Sequence, residues 1–570
     1  MLGNWEGRLK NRGEWIRLFD PKGNQVIRFR YADDGSWPRG ADGPPPSRPD
    51  PNDPLDPGPK GMTLELRHPD LDPRNGGAWV AESEDGTPGA PRRKAEEQVP
   101  PVLFDWCVNP PFPEPRRTVR FSVSVDCPQQ IETVSLFWRY EGQSWQELPL
   151  GDDGLSGDGE AGDGRWGGFL LGLDRAGTVE FYFQAKSEED RIGLLPSSAP
   201  ELPFLLRVDD RPFPRGGTVA FRYIIMRRKD LETLRSRSPR SDELLPCALY
   251  MDGKLYEYGK VRYRGSSARS HWPRSYRVIL SHDERGSQAN ILYFNAVNPH
   301  LQYSGMETFR RAGIPAPRVT FMALGMDDGF WTEYVQVERI DEFFVSYHMP
   351  HEDNGNLYRG TRAGRGSDLT YHGDDQSEYR RPYDKVTNRQ EADWSDIVQL
   401  CKALNSPEEV YWEEVQKIVD VDQWARYFAV HTVLSNQENS IYRQDGDDYF
   451  LYRRPSDGRF ILLPWDMDSV FQEPEERLFR PDLPTVRRFL RHPAVAPRYW
   501  YHLAELLDRS FGKAPVELTL KRVAQGAGGI FIPGMRNFHR RRSNFIRRQL
   551  PTELSVCVYV VGGGSQRTDL

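Results

Sequence analysis

The stretch Asp447–Phe471, DDYFLYRRPSDGRFILLPWDMDSVF, decides the reading of this chain. Tyr449 to Tyr452 and Phe460 to Leu463 are short apolar and aromatic runs. Pro455-Ser456-Asp457-Gly458 between them has turn chemistry, so a β-hairpin is expected. Asp447 and Asp448 lead into the first strand, and Asp466 and Asp468 follow the second. A tight turn brings such carboxylates together as a hard-oxygen set suited to Mg²⁺, whose octahedron a nucleotide phosphate can complete.

The run Tyr449-Phe450-Leu451-Tyr452, a turn, and then Pro464-Trp465-Asp466-Met467-Asp468-Ser469-Val470-Phe471 resembles the spore coat protein H (CotH) kinase-like family. Upstream blocks agree in order. Val261-Arg262-Tyr263-Arg264-Gly265-Ser266-Ser267 precedes Pro273-Arg274-Ser275-Tyr276-Arg277-Val278, and Gly313-Ile314-Pro315-Ala316-Pro317-Arg318 leads to Tyr334–Asp341. Asn356-Leu357-Tyr358-Arg359 follows, with Lys385 and Asp393-Trp394-Ser395-Asp396 beyond. The resemblance covers residues 215–550 and implies an α+β, atypical protein-kinase-like domain of two lobes. It also implies ATP and Mg²⁺ (or Mn²⁺) as cofactors and Ser/Thr phosphorylation of a surface or coat protein. The alternative is a surface-associated scaffold whose kinase-like domain is catalytically weak or inactive.

Carried over residue by residue, Asp466 corresponds to the family's metal Asp, and Asp448 stands where the family has Asn before the aromatic-Leu-Tyr run. Asp468 is a second metal ligand or a cap of the following turn. Ser435-Asn436-Gln437-Glu438-Asn439 occupies the place of the family's Asn-Trp-Asp, so Glu438 replaces the Asp expected to accept the substrate proton. A Glu is one methylene longer, and phosphoryl transfer depends on in-line positioning of the acceptor. Arg274 takes the basic-strand position where the family usually has Lys, Arg264 precedes the Gly265 turn, and both are candidates for gripping nucleotide phosphates. Glu338 resembles the strand-end Glu before the hinge between lobes, and Tyr358 and Lys385 lie in the central insertion.

Asp422–Leu434 reads as a helix with an apolar face through Trp424, Tyr427, Phe428, His431 and Leu434, which makes His431 a packed histidine rather than a base. Arg536, Arg540, Arg541, Arg542, Arg547 and Arg548 read as the solvated face of a terminal helix, because no aromatic stacking pattern accompanies them.

At 570 residues the chain exceeds a single core, and its net charge of −7, with acids and bases intermixed, argues against a polyanion-binding protein, nucleic-acid binders included. Its five cysteines form no CxxC pair, which excludes a zinc ribbon or dense disulfide framework. No apolar run reaches the ~20 residues of a membrane span. The start of the chain lacks the apolar core of a signal peptide, whereas the resemblance implies an envelope or extracellular setting.

Ahead of the kinase-like region the pattern is all-β, so the fold class is multidomain, with N-terminal sandwiches. Residues 1–97, through the hairpin Arg12–Tyr31, Trp37, Met62–Leu66, Trp79 and Gly86–Gly89, resemble a partial lamin tail domain. Residues 101–209 alternate at Val119, Phe121, Val123 and Val125, again at Val134, Leu136 and Trp138, and at Val179, Phe181 and Phe183. An Ig-like or fibronectin-like sandwich fits. The Asp-Gly repeats between Asp152 and Asp163 can surround Ca²⁺, but they lack EF-hand spacing and a bidentate Glu, so a turn-rich loop is the stronger reading. A Pro-, Asp- and Gly-rich stretch at 42–61, a soft segment at 82–99 and the Arg- and Ser-rich 235–242 are read as loops, and 551–570 as a tail or a strand of a further module.

Overall fold

A computed structural model of the chain describes residues 13–38, 62–83, 98–211, 219–285, 289–327, 329–363, 366–438, 441, 447–479, 481–552, 555–559 and 565–569. The loops at 42–61 and most of 82–99, with Gly86–Gly89, lie outside them.

Trp15–Phe19 and Gln25–Arg30 pair antiparallel as expected, and the Asp20 carboxylate closes the turn by accepting the amides of Lys22 and Asn24 at 2.9 and 2.8 Å. A second pair, Thr63–Leu66 with Trp79–Ser83, completes the described strands of this segment. Phe29 and Trp37 stack on Trp79 with ring centres 5.7 and 6.0 Å apart. Among the described residues, then, this segment is two two-stranded sheets that share a small core of Phe29, Tyr31, Trp37, Leu64 and Trp79.

In the next segment a three-stranded sheet (Val102–Asn109, Val119–Asp126, Arg165–Leu170) shares a core with a five-stranded sheet (Ile131–Tyr140, Gln146–Pro149, Gly177–Ser187, Ile192–Leu195, Phe204–Val208). Strand alternation dictates that core: Phe121, Val123, Leu136, Phe181 and Phe183 are all inward and buried. In the loop of residues 151–164 the loop's own amides take up much of the carboxylate oxygen, although Asp158, which accepts from Gly154, keeps one buried oxygen without a partner. Asp152 accepts from Gly162 and Gly164, Asp153 from Leu155 and Ser156, and Asp163 from Arg165.

Beyond Ala220 seven strands close into a barrel in the order 220–225, 245–251, 254–263, 276–279, 291–295, 329–337, 319–326, the last running parallel to the first. Val261, Tyr263, Tyr276, Val278, Leu292, Phe294 and Tyr334 fill it. The barrel is not independent of the preceding sandwich. Tyr223, Ile225, Ala248 and Leu255 belong to the sandwich core, and Phe112 packs on Phe221, Tyr223 and Tyr250 at 4.9–5.7 Å.

The helix Pro299–Arg311 links the barrel to a mixed α/β part, where a four-stranded sheet (383–385, 356–360, 449–453, 460–464) is covered by helices including Val421–Leu434, Ala496–Asp508, Lys513–Ala527 and Ile532–Gln549. One large core runs from this sheet through those helices to the Val335 and Val337 edge of the barrel. Most of the C-terminal arginines do face solvent and acidic neighbours: Arg536 pairs with Glu517 at 2.7 Å and Arg547 with Asp508 at 2.7 Å. Arg542 departs from the expected solvated face, for it is fully buried. It donates to the carbonyls of Thr432 (3.1 and 2.6 Å), Pro474 (3.2 Å) and Glu476 (2.6 Å).

Candidate functional site

The hairpin of the opening stretch forms with Tyr449 opposite Pro464 and Leu451 opposite Leu462. Residues just outside the Tyr449–Pro464 pair leave the ladder at one end of the sheet, which is where Asp447, Asp448, Trp465 and Asp466 sit. Asp448 and Asp466 have φ of 55° and 51°, left-handed conformations that Asp tolerates better than most residues. Two such positions flanking one strand pair are local strain of the kind that collects at functional sites.

Three elements converge on this end. The helix Val421–Leu434 stops at Ser435, also left-handed at φ 48°, and the Phe471 amide donates to the Leu434 carbonyl at 2.8 Å. The Gln437 amide donates to the Ser469 carbonyl at 3.1 Å, and the Ser469 hydroxyl donates to Glu438 at 2.6 Å and to Asp468 at 3.2 Å. Asn298, heading Pro299–Arg311, donates to the Asp468 carbonyl at 3.0 Å. Gly305 on that helix lies so close to Met467 that a Cβ would stand 2.5 Å from its side chain. Asp448, Asp466, Asp468 and Glu438 are thereby held in one neighbourhood.

Their electrostatics follow from crowding. Burial, then Asp466, Asp447 and Glu438, push the Asp448 carboxyl up to about 9. Asp468 is pushed up to about 8 by burial, by Asp466 and by a direct hydrogen bond with Glu438. Burial raises Asp466 as well, opposed by Arg264 and Arg359. The four acids are neighbours rather than a closed cage. Among the described residues, the three side chains whose ligand atoms all lie within 4.8 Å of one another are Asp33, Asp34 and His282.

The barrel supplies the facing cations. Arg264 donates to Asn295 at 2.8 Å, lies 4.6 Å from the Tyr293 ring centre and interacts with Asp466 and Asp468. Tyr293 in turn meets Trp465 at 6.0 Å. Arg274 is not part of this group: it donates to the Arg269 carbonyl and lies 5.5 Å from the Tyr263 ring, on the inner side of the barrel rim. Strand period explains the difference. Arg274 has the parity of the inward Tyr276 and Val278, whereas Arg264 alternates with the inward Val261 and Tyr263. Glu338 is committed elsewhere, paired with Arg318 at 2.6 Å and His348 at 2.9 Å beyond the strand end.

Tyr358 donates to Asp396 at 2.5 Å, and the buried Lys385 donates to the Asp393 carbonyl at 2.8 Å, so both brace the central sheet. His431 is buried against Phe309 and Tyr427, and burial lowers it to about 3. Gln437, in place of the family's Trp, donates to Glu476 at 2.7 Å, as Ser435 does at 2.8 Å. The structure also brings in residues not singled out from sequence: Arg359, exposed beside Asp466 and Arg264; Arg362, paired with Asp447 at 2.7 Å; and Arg277. The alternation of Tyr276-Arg277-Val278 was the available signal for Arg277.

A barrel wall bearing arginines over a strand-end cluster of carboxylates, with a mixed α/β part beneath, is the class of site that these elements define. Residues 261–517 match the family described as CotH kinase protein, so the chain carries a CotH-family domain there. Over 257 residues it is 24% identical to the inner spore coat protein H of Bacillus subtilis (strain 168), an alignment covering 43% of this chain and 66% of that protein. Arg542 lies outside the matched span. Among the described residues no helix is long and apolar enough to cross a membrane.

Proposed function

We propose that the CotH-family domain is an atypical protein kinase that transfers the γ-phosphoryl group of Mg-ATP to a Ser or Thr hydroxyl of a surface or coat protein. The observation that carries the reading is the pair Asp448 and Asp466, turned out of one hairpin end by left-handed backbone, with Asp466 interacting with Arg264 of the barrel wall. Crowded, partly buried carboxylates are costly without a counter-cation, and Mg²⁺ characteristically takes one or two carboxylates and completes its shell with phosphate and water. Asp448 and Asp466 would hold that ion, with Asp468 beside them, and it would neutralise charge on the phosphates. Arg264 and Arg359 would orient the anion, and Glu438 would accept the hydroxyl proton. The similarity to a spore coat protein supports a coat or surface acceptor.

A specific contact favours the alternative of a weak or inactive scaffold. Glu438 already takes the Ser469 hydroxyl and shares a hydrogen bond with Asp468, so its carboxylate is engaged before any acceptor arrives. Incubation with labelled ATP and Mg²⁺ or Mn²⁺ separates the readings, with labelled protein expected. ATP should also raise the melting temperature only with the divalent ion present. Asp466→Ala should abolish that rise, and a rise unchanged in the variant would remove Asp466 from the site.

A further inference from the structure

One row of side chains crosses the cleft-facing wall of the barrel: Arg262 opposite Arg277, Arg277 opposite Tyr293, and Tyr293 opposite Val337. Arg264 lies one position further along the same face, over Tyr293, and Arg339 follows the strand of Val337. Like charges directly opposite on adjacent strands, as Arg262 and Arg277 are, are destabilising. The other guanidiniums are answered within the chain. Arg262 meets Asp242 at 3.1 Å, Arg339 meets Asp341 at 3.7 Å and Arg264 meets Asn295 at 2.8 Å.

Arg277 differs. Its Nε is buried with no hydrogen-bond partner, and among the described residues no carboxylate lies within ion-pair distance of it. Burial holds its charge down, and Arg339 and Arg264 oppose it further; Tyr293 and Asp242 favour it, the latter without an ion pair. A partly buried cation with an unpartnered Nε and no ion pair, among other cations, is an unfavourable arrangement for an empty wall and a favourable one for an anion.

We propose that Arg277, flanked by Arg262 and Arg339, forms a second anion subsite beside Arg264 that receives a phosphate group of a polyphosphate chain. The choice of phosphate rests on the phosphoryl-transfer reading, whereas the need for an anion does not. The planar guanidinium suits bidentate contact with phosphate oxygens, and Arg264 on the same face offers a second such contact to a chain of phosphates.

The test is calorimetric titration of the full chain with inorganic tripolyphosphate in metal-free buffer. The wild type should bind, Arg277→Gln should weaken binding roughly tenfold, the loss of one strong charge-assisted contact, and Arg277→Lys should fall between. Arg277→Gln should also be at least as resistant to unfolding as the wild type, because it relieves the repulsion with Arg262, so lost binding is not read as lost folding. Displacement of bound tripolyphosphate by ATP assigns the subsite to the nucleotide; displacement by phosphoserine assigns it to the phosphorylated acceptor. No binding by the wild type, or affinity in Arg277→Gln within about twofold of it, overturns the subsite. Asp466→Asn should not weaken metal-free tripolyphosphate binding. Loss of all metal-dependent ATP binding and transfer with the tripolyphosphate result intact would therefore refute the kinase reading and leave the subsite standing.

Discussion

Arg542→Met replaces a fully buried cation by an apolar side chain of similar length at the junction of the terminal helix and the loop that carries Glu438. The guanidinium makes four hydrogen bonds to three carbonyls, of Thr432, Pro474 and Glu476, at 2.6–3.2 Å. Burial is unfavourable to the cation itself, holding it at about 10, below the ordinary arginine range, so methionine recovers part of that desolvation. The carbonyls are the dominant loss. The Pro474 and Glu476 carbonyls lose the donor they have here and Thr432, which keeps the Ser435 amide at 3.1 Å, loses two hydrogen bonds; at about 1–1.5 kcal/mol for each carbonyl this amounts to about 3–4 kcal/mol, and buried methionine surface returns about 1 kcal/mol. The net expectation is a destabilisation of about 2–3 kcal/mol, read by urea unfolding as a lower midpoint at unchanged slope. Glu476 also holds Ser435 and Gln437 at 2.8 and 2.7 Å, so any transfer activity should fall in folded Arg542→Met before unfolding begins. A midpoint within the equivalent of about 0.5 kcal/mol of the wild type would refute the reasoning, because it would mean that water satisfies those carbonyls equally well.

Glu438→Asp withdraws the carboxylate from Ser469, and if Glu438 is the base, transfer should rise several-fold with ATP affinity little changed, whereas Glu438→Gln should lower transfer by about 10²-fold or more; absence of transfer in all three forms while Mg-ATP binds would leave the scaffold reading. A chain beginning near Arg211 strips the sandwich from Tyr223, Ile225, Ala248 and Leu255, and at about 1.5–3 kcal/mol for each large side chain uncovered it should aggregate or melt well below the full chain; an equal melting temperature would show the barrel to be self-sufficient. His282 is lowered by burial, but hydrogen bonds with Asp33 and Asp34 outweigh this and raise it to about 9. Its folded value lies above its unfolded one, so this contribution is complete below about pH 6.5 and is lost as pH rises towards 9; His282→Gln should flatten that part of the stability curve, and an unchanged curve would exclude the contact as its source.

Local rules determined much of this protein from its sequence. Two apolar runs and a Pro-Ser-Asp-Gly turn sufficed for the hairpin, which forms as Tyr449–Arg453 and Phe460–Pro464. A 3.6-residue period sufficed for the helix Val421–Leu434 and for His431 as a packed residue. Alternation likewise identified the inward residues of the sandwich strands. These features depend on neighbours a few residues apart, where backbone geometry alone assigns a face.

What only the tertiary structure decided depends on partners far apart in the chain. Barrel closure requires Val319–Met326 to run beside Ala220–Ile225, and no periodicity encodes that pairing. The burial of Arg542 has the same origin. Its helix carries arginines around most of its circumference, and the carbonyls of Thr432, Pro474 and Glu476 select one of them for the interior. The division between Arg264, Arg277 and Arg274 was half legible: strand period assigns the first two to one face and the third to the other. Which face looks onto Asp466 was settled by the packing of Tyr293 on Trp465 across the cleft, because opposite faces of a strand differ in function only through what is folded against them.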